Sequence, residues 1–230
     1  MSMKRTGFQV FGGGRTIAQW PASWKIIALT VIWYVVVQTI FGHSVQGDAR
    51  AGAMVGVFVT HGQIFRLLTA IFVHLSLMHL LVNMVSLWTL TAVESLLGAN
   101  AFVVIYLVSG LFGNVLSLAM GAGFTVSAGA SGAIFGLFGA MLGLAFLRIL
   151  PTVVRNQLLM ILAINVVLDI THPDIDWLAH LGGMVAGILL TLVYVNVNRS
   201  VRLWRTASIT MVCLTAISLI ACLVTPLSAI

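Results

Sequence analysis

The chain has 230 residues, of which 60% are hydrophobic and 7% are charged, with a formal net charge of +6. A soluble domain carries about 25% charged residues because its surface must be solvated. Sixteen charged side chains (11 Lys and Arg plus 5 Asp and Glu) are therefore too few for a soluble enzyme, a nucleic-acid-binding protein or a disordered chain of this length. The composition predicts an all-α polytopic membrane protein, a helical bundle with spans of about 20 apolar residues each.

Seven apolar stretches are candidate spans. In chain order they are roughly Trp24–Phe41, Leu75–Val93, Ala101–Met120, Gly129–Leu147, Val153–Ile170, Trp177–Val197 and Ala207–Leu227. The stretch from Ile64 to Val93 is too long for one span, because thirty helical residues extend about 45 Å and the hydrocarbon core is about 30 Å thick. Arg66 and His74 also interrupt it. We therefore expect an interfacial segment up to about His74 and a span after it.

The positive charges predict the direction of insertion, because cytoplasmic loops carry an excess of Lys and Arg. Four of these residues precede the first span, so the N-terminus is expected in the cytoplasm. Alternation of the spans then places nine positive residues inside and two, Arg50 and Arg66, outside. The nine are Lys4, Arg5, Arg15, Lys25, Arg148, Arg155, Arg199, Arg202 and Arg205. The seventh span would place the C-terminus outside, and the net charge needs no nucleic-acid partner.

Three polar clusters lie inside the predicted spans, where polar groups are costly and often functional. His79 and Asn83 are one helical turn apart and share a face of the second span. Ser131 lies in the string Gly-Ala-Ser-Gly that opens the fourth span, and His180 lies at the start of the sixth. The predicted topology brings all three clusters to similar depth, a few residues inside the outer face.

These residue types suit nucleophilic catalysis. A serine hydroxyl needs a neighbouring base, and histidine can act as that base near neutral pH. Ser131 and His180 can meet only if the fourth and sixth spans approach closely, which glycines permit. Glycines recur at spacing four on both spans, at Gly132 and Gly136 and at Gly183 and Gly187. Free N–H groups at the helix start, with His79 and Asn83, could then face a developing oxyanion.

Each piece alone also has a structural interpretation. A Gly-x-Ser-Gly string in a membrane helix is more often packing than catalysis, and glycine pairs usually serve packing. A single buried histidine, or His79 with Asn83, can serve as an interhelical hydrogen bond. The joint occurrence of all the pieces at matched depth favours chemistry.

The sequence resembles the rhomboid family of intramembrane serine proteases. The matching strings are His74-Leu-Ser-Leu-Met-His79-Leu-Leu-Val-Asn83, Gly129-Ala-Ser131-Gly132 and Ala179-His180-Leu-Gly-Gly183-Met-Val-Ala-Gly187. The similarity runs from about Ile64 to Gly187. It implies a six-span rhomboid-like core at 24–197, with a tail at 1–23, a cytoplasmic linker at 198–206 and an additional span at 207–230.

The resemblance also implies roles for individual residues. Ser131 would be the nucleophile and His180 the general base, with no required carboxylate. His79, Asn83 and the backbone N–H of Ser131 would form the oxyanion hole.

Two positions depart from the family pattern. Phe65-Arg66 replaces a frequent Trp-Arg pair in the first outer loop, and Arg66 is still expected to organise that loop. Phe135 replaces a tyrosine that some members stack on the histidine, and we expect it to stack without offering a hydroxyl.

Several other polar residues are expected to have structural roles. Asp176, four residues before His180, is expected to be an outer-loop residue, with a third member of a catalytic triad as the open alternative. We expect Asp169 to be a structural hydrogen-bond partner near the outer end of the fifth span, and Glu94 to cap the inner end of the second span. His74 should stabilise the outer loop and the start of that span. Asn114 and Asn165 are expected to form interhelical hydrogen bonds.

The predicted function is cleavage of single-span membrane proteins near the outer membrane face, without a metal or other cofactor. A zinc site-2 protease needs His-Glu-x-x-His, which is absent from the sequence. An aspartyl intramembrane protease needs two facing aspartates deep in the membrane, and only Asp169 lies near a span. Two alternatives stay open, a small transporter and an inactive rhomboid-like protein that binds membrane clients.

Overall fold

The computed structural model describes residues 19–121, 126–172 and 175–225. Most of the predicted N-terminal tail and the last residues of the seventh predicted span therefore lie outside the described residues. The elements follow in the order α1 (Ala22–Phe41), α2 (Val45–Arg50), β1 (Met54–Val55), α3 (Gly56–Thr60), α4 (Arg66–Thr69), a 3-10 turn (Ala70–Phe72), α5 (Leu77–Thr89), α6 (Ala92–Leu97), α7 (Ala99–Met120), β2 (Val126–Ser127), α8 (Ser131–Phe146), α9 (Thr152–Thr171), α10 (Trp177–Asn196) and α11 (Val201–Val224).

The predicted all-α class is confirmed. Within the described ranges, six helical segments are long and apolar enough to cross a membrane, and α5 with α6 forms one of them. Each of the seven predicted spans overlaps one of these helices or α8, which has 16 residues. Helix α11 begins at Val201, within the stretch predicted as a linker.

The long apolar stretch before α5 is divided as predicted. Helix α4 passes into the 3-10 turn, Val73 is extended, and α5 begins only at Leu77. The Ser76 side chain accepts a hydrogen bond from the backbone N–H of His79 at 3.1 Å, which satisfies one of the free donors of the first turn.

The segment between α1 and α5 is organised around Arg66, which is 2% exposed. Its guanidinium donates to the carbonyl oxygens of Ala49 and Ala53 and to Oε1 of Gln63, and it lies 4.7 Å from the ring centroid of Phe58. Burial lowers the pKa of Arg66 below its ordinary value. This one side chain links three parts of the segment, because a guanidinium has five donors in a fixed plane.

Helix α8 lies at the centre of the bundle and α9 at its edge. Thirteen of the 16 residues of α8 are buried, whereas Leu158 is the buried residue of α9. A 16-residue helix is about 24 Å long and cannot cross a hydrocarbon core of about 30 Å. At least one end of α8 therefore lies inside the membrane, and α7 and α10 pack around it.

Glycines bring the backbones of α8 and α10 into contact. A Cβ on Gly183 would overlap the carbonyl oxygen of Gly132, and a Cβ on Gly187 would overlap that of Gly136. This close approach is the one predicted from the two glycine pairs. It aligns the first turns of the two helices, where Ser131 and His180 lie.

We expect Gly183→Ala to lower the free energy of unfolding by about 1–3 kcal/mol, because its methyl group meets backbone that can move only with the whole helix. Gly143→Ala is the matched control. A Cβ there would make ordinary contacts of 3.6 Å with Thr191, so this variant should be neutral or slightly stabilising. Thermal unfolding in detergent compares the two, and equal midpoints would contradict the close contact.

Two hydrogen-bond predictions are wrong. The carboxylate of Glu94 accepts from the backbone N–H groups of Ala22 (2.7 Å) and Ser23 (2.9 Å), so it caps the start of α1 and not the end of the second span. The amide of Asn165 donates to the Ile161 carbonyl of its own helix. Asn114 does bond to another element, donating to the Leu67 carbonyl at 2.9 Å.

Candidate active site

Ser131 is the first residue of α8, and the turn before it depends on glycine. Gly129 has φ 128°, a conformation that side chains rarely adopt. A Cβ at this position would also lie 2.8 Å from Nε2 of His79. Gly129 therefore allows the His79 ring to lie against the backbone two residues before Ser131, beside the free N–H groups of the α8 first turn.

His180 is in the first turn of α10 and faces the first turn of α8. Its imidazole stacks on the ring of Phe135, with centroids 4.1 Å apart and an interplanar angle of 12°, as expected for that phenylalanine. Phe135 follows Ser131 by one turn, so it shares a helix face with the serine. A Cβ on Gly132 would lie 3.2 Å from the carbonyl oxygen of Ala179, the residue before His180.

Residues one turn or one position from Ser131 thus contact His180 or the residue before it. The hydrogen bonds of the described residues do not include one between Ser131 and His180. Such bonds are often long in a free enzyme and tighten when substrate binds. His180 is 8% exposed, so its imidazole has little contact with the surroundings of the protein.

The Nδ1 nitrogen of the His180 ring contacts a carboxylate. Nδ1 lies 3.0 Å from Oδ1 and 3.2 Å from Oδ2 of Asp169, near the end of α9. Asp169 is a hydrogen-bond partner, as expected, and its partner is the predicted general base. Asp169 lies 11 residues before His180 and on another helix, so the helical repeat does not relate the two residues. The sequence feature that singles out Asp169 is a carboxylate within an apolar stretch.

Asn83 and His79 face the turn before Ser131 from α5. Asn83 is 5% exposed, and its Nδ2 donor group has no hydrogen-bond partner among the described residues. A Cβ on Gly129 would lie 3.5 Å from this Nδ2. The Nδ2 group is therefore available to donate to an acceptor beside this turn.

His74 supports the same turn from the segment before α5. It is fully buried, its Nδ1 lies 3.3 Å from the Phe72 carbonyl oxygen, and its Nε2 lies 3.5 Å from the backbone nitrogen of Ala130. Burial, with a smaller contribution from His79, lowers the pKa of His74 to about 3. The ring is therefore neutral, and Nε2 can accept from Ala130 while Nδ1–H donates to Phe72.

Asp176 precedes α10 and is engaged away from the His180 ring. Its Oδ1 accepts from the backbone N–H of Ala179 at 3.0 Å, and its Oδ2 accepts from the hydroxyls of Ser117 and Ser127 at 2.6 Å each. It caps α10 and links that helix to α7 and to β2. This arrangement agrees with a structural residue at the start of the helix.

We expect Asp176→Asn to lower the free energy of unfolding by about 1–2 kcal/mol, because the amide is uncharged and has one acceptor oxygen where the carboxylate has two. Any catalytic turnover should fall less than about tenfold, since none of the three bonds involves the imidazole. Ser117→Ala, which removes one donor, should shift the thermal midpoint in the same direction. A thousandfold loss of turnover in a folded Asp176→Asn protein would instead assign the residue to the catalytic machinery.

An apolar cavity of about 580 Å³ opens beside the histidine, between α8, α9 and α10. Its lining residues are Phe135, Leu162, Val166, Asp169, Ile170, Ile175, Trp177, His180, Leu181 and Met184. The polar side chains among them are Asp169, at the α9 side, and His180. The cavity thus joins an apolar wall to the imidazole.

The chain matches one family model and several known proteins. The family model for the Rhomboid domain matches residues 61–197. The chain is 33% identical over 193 residues to Rhomboid protease GluP of Bacillus subtilis, covering 80% of this chain and 36% of that protein. It is 32% identical over 202 residues to Putative rhomboid protease YdcA of the same species, covering 85% of this chain and 97% of that protein. It is 35% identical over 161 residues to RHOMBOID-like protein 5 of Arabidopsis thaliana, covering 67% of this chain and 52% of that protein.

The fold and the matches define a multi-pass membrane protein related to rhomboid proteases. The family model covers more than half of the chain, and the two bacterial relatives are described as a rhomboid protease and a putative rhomboid protease. The chain belongs to the rhomboid family. It spans about a third of the length of GluP and nearly the whole length of YdcA.

Proposed function

We propose that this protein is an intramembrane serine protease that cleaves transmembrane-helix substrates near the outer membrane face. The observation that carries the proposal is the meeting of three elements at one turn. The Ser131 turn of α8, the His180 ring of α10 and the unpaired Asn83 Nδ2 of α5 converge there.

In the proposed reaction, Ser131 is the nucleophile and His180 the general base. Nδ1 of His180 lies against Asp169, which leaves Nε2 to accept the serine proton. The serine oxygen attacks the scissile carbonyl carbon, and the peptide bond breaks as the imidazolium returns the proton to the leaving amine. Water then attacks the acyl-enzyme, with His180 again as the base.

The oxyanion of the tetrahedral intermediate would be held by Asn83, His79 and the backbone N–H of Ser131. The Asn83 Nδ2 is free to donate. The His79 ring lies against Gly129 in the same turn, and the Ser131 N–H belongs to the first turn of α8, where backbone donors lack helical acceptors. Donors held in place before reaction stabilise a developing charge without reorganisation.

A substrate helix would reach this site laterally from the lipid bilayer. A helix hides its carbonyl groups in its own hydrogen bonds, so the substrate must unwind locally before attack. The cavity between α8, α9 and α10 offers an apolar surface leading to His180. The partners implied are single-span membrane proteins and the bilayer itself.

The proposed topology is a six-span catalytic core at 24–197 preceded by a cytoplasmic tail at 1–23. A short cytoplasmic linker and a seventh span built on α11 (Val201–Val224), in place of the bounds 198–206 and 207–230, would follow, with the C-terminus outside. The excess of nine positive residues over two supports this direction. Because α8 is shorter than the hydrocarbon core is thick, residues adjoining the helix would complete the fourth crossing.

The proposal is tested with purified protein in liposomes and a generic single-span substrate. We expect cleavage near one end of the substrate span, with product termini assigned by mass spectrometry. A fluorophosphonate should label the protein only when both Ser131 and His180 are present. Absence of cleavage and of labelling in folded protein would favour an inactive client-binding homologue or a transporter.

A further inference from the structure

We propose that Asp169 is a positioning residue that holds His180 in the tautomer able to act as a base, so that the reactive unit is a Ser131–His180–Asp169 triad. This inference rests on the proposed protease function. It assigns the orientation of the imidazole to a carboxylate from α9.

The geometry fits a bond from the ring to the carboxylate. Both carboxylate oxygens of Asp169 lie within 3.2 Å of Nδ1 of His180. The side chain of Asp169 is 15% exposed and that of His180 is 11% exposed. An ionised carboxylate only accepts hydrogen bonds, so Nδ1 must carry the proton and Nε2 must be free. Nε2 is the nitrogen that remains for the serine hydroxyl, while Phe135 fixes the plane of the ring.

The placement of Asp169 argues against a general packing role. An ionisable residue within a membrane span is costly, and most residues of α9 are exposed. Within the described residues, the remaining side-chain hydrogen bonds of α9 stay within that helix or reach the adjacent His172. The bond to His180 is thus the one that reaches across from α9 to another helix.

The proton balance requires no further group. When Ser131 attacks, its proton moves to Nε2 and the imidazole becomes an imidazolium. The Nδ1 proton stays on nitrogen, and the Asp169 carboxylate stays ionised and faces the new positive charge. The titratable rings beside the Ser131 turn are those of His74 and His79, and Asp176 at the start of α10 is bonded to Ser117 and Ser127.

The first readout is the kinetics of three variants in liposomes. Asp169→Ala and Asp169→Asn should lower kcat about 10- to 100-fold, the effect of a hydrogen bond to a charged group. KM should change less than about threefold. Asp169→Glu should recover most of the loss. Asn165→Ala is the matched control, because it removes a polar side chain one turn earlier on α9 and should keep wild-type kcat. Equal kcat for Asp169→Ala and wild type would overturn the proposal.

The second readout does not depend on proteolysis. In protein with 15N-labelled histidine, the His180 ring, assigned by its loss in His180→Ala, should carry its proton on Nδ1 in wild type and in Asp169→Glu. In Asp169→Ala the share of that tautomer should fall by at least about half, because the acceptor that favours it is gone. An unchanged tautomer would overturn the positioning role. A protein that shows the tautomer change but cleaves nothing would refute the protease function and leave the Asp169 assignment standing.

Discussion

Replacing Ser131 with alanine is expected to lower cleavage of a single-span substrate by about 10⁴- to 10⁶-fold, since the residues of such a unit act together. The reason lies in the site: Ser131 is the first residue of α8, one turn before Phe135, whose ring stacks on His180. The variant should unfold at the same temperature as wild type, because the half-buried hydroxyl of Ser131 makes no hydrogen bond among the described residues. The measurement is the initial rate in liposomes, with thermal unfolding alongside.

His180→Ala should have an effect of the same size, and the double variant should be no worse than either single one. A nucleophile without its base, or a base without its nucleophile, loses nearly all that the pair supplies. Ser95→Ala removes an exposed hydroxyl on α6 and serves as the control. Cleavage by Ser131→Ala at the wild-type rate would remove Ser131 as the nucleophile.

Replacing Asn83 with alanine is the second largest expected effect, a loss of about 10²- to 10³-fold in kcat, typical of removing one oxyanion donor. Stability should respond differently. Because Nδ2 has no partner in the free protein, its removal should change the free energy of unfolding by less than about 1 kcal/mol. The two quantities are measured on the same preparation, as kcat and as the midpoint of thermal unfolding.

This combination separates chemistry from packing. If Asn83 served as an interhelical hydrogen bond, the alanine variant would lose stability and keep its turnover per folded molecule. Asn114→Ala is the comparison variant for a structural hydrogen bond between elements. The Asn114 amide donates to the Leu67 carbonyl, so its removal should lower the free energy of unfolding. Asn165, exposed and bonded only within its own helix, should tolerate alanine in both measurements.

Local patterns predicted a large part of the architecture. Apolar length predicted the helices, and the interruption at Arg66 and His74 predicted the break before α5. Glycine pairs at spacing four predicted the contact of α8 with α10. These patterns follow from the helical rise and repeat, which are readable from the chain itself. The stack of Phe135 on His180 was instead expected from the family resemblance.

The two wrong predictions concern the hydrogen-bond partners of side chains. Glu94 was assigned to the nearest helix end along the chain, but its carboxylate meets the start of α1, 71 and 72 residues away. Asn165 was expected to reach a neighbour, but α9 lies at the edge of the bundle and its amide bonds to its own backbone. Sequence spacing gives no distance between residues on different helices.

By itself, the sequence determined the membrane class, the number and order of apolar helices and the residue types capable of serine–histidine chemistry. Hydrophobic transfer and the helical repeat are local properties of the chain and need no knowledge of neighbours. Only the tertiary structure decided which carboxylate meets His180 and that the Asn83 amide is left unpaired beside the Ser131 turn. Both depend on how the helices pack, and packing between helices in a bilayer is set by close contact of surfaces that the linear pattern does not pair.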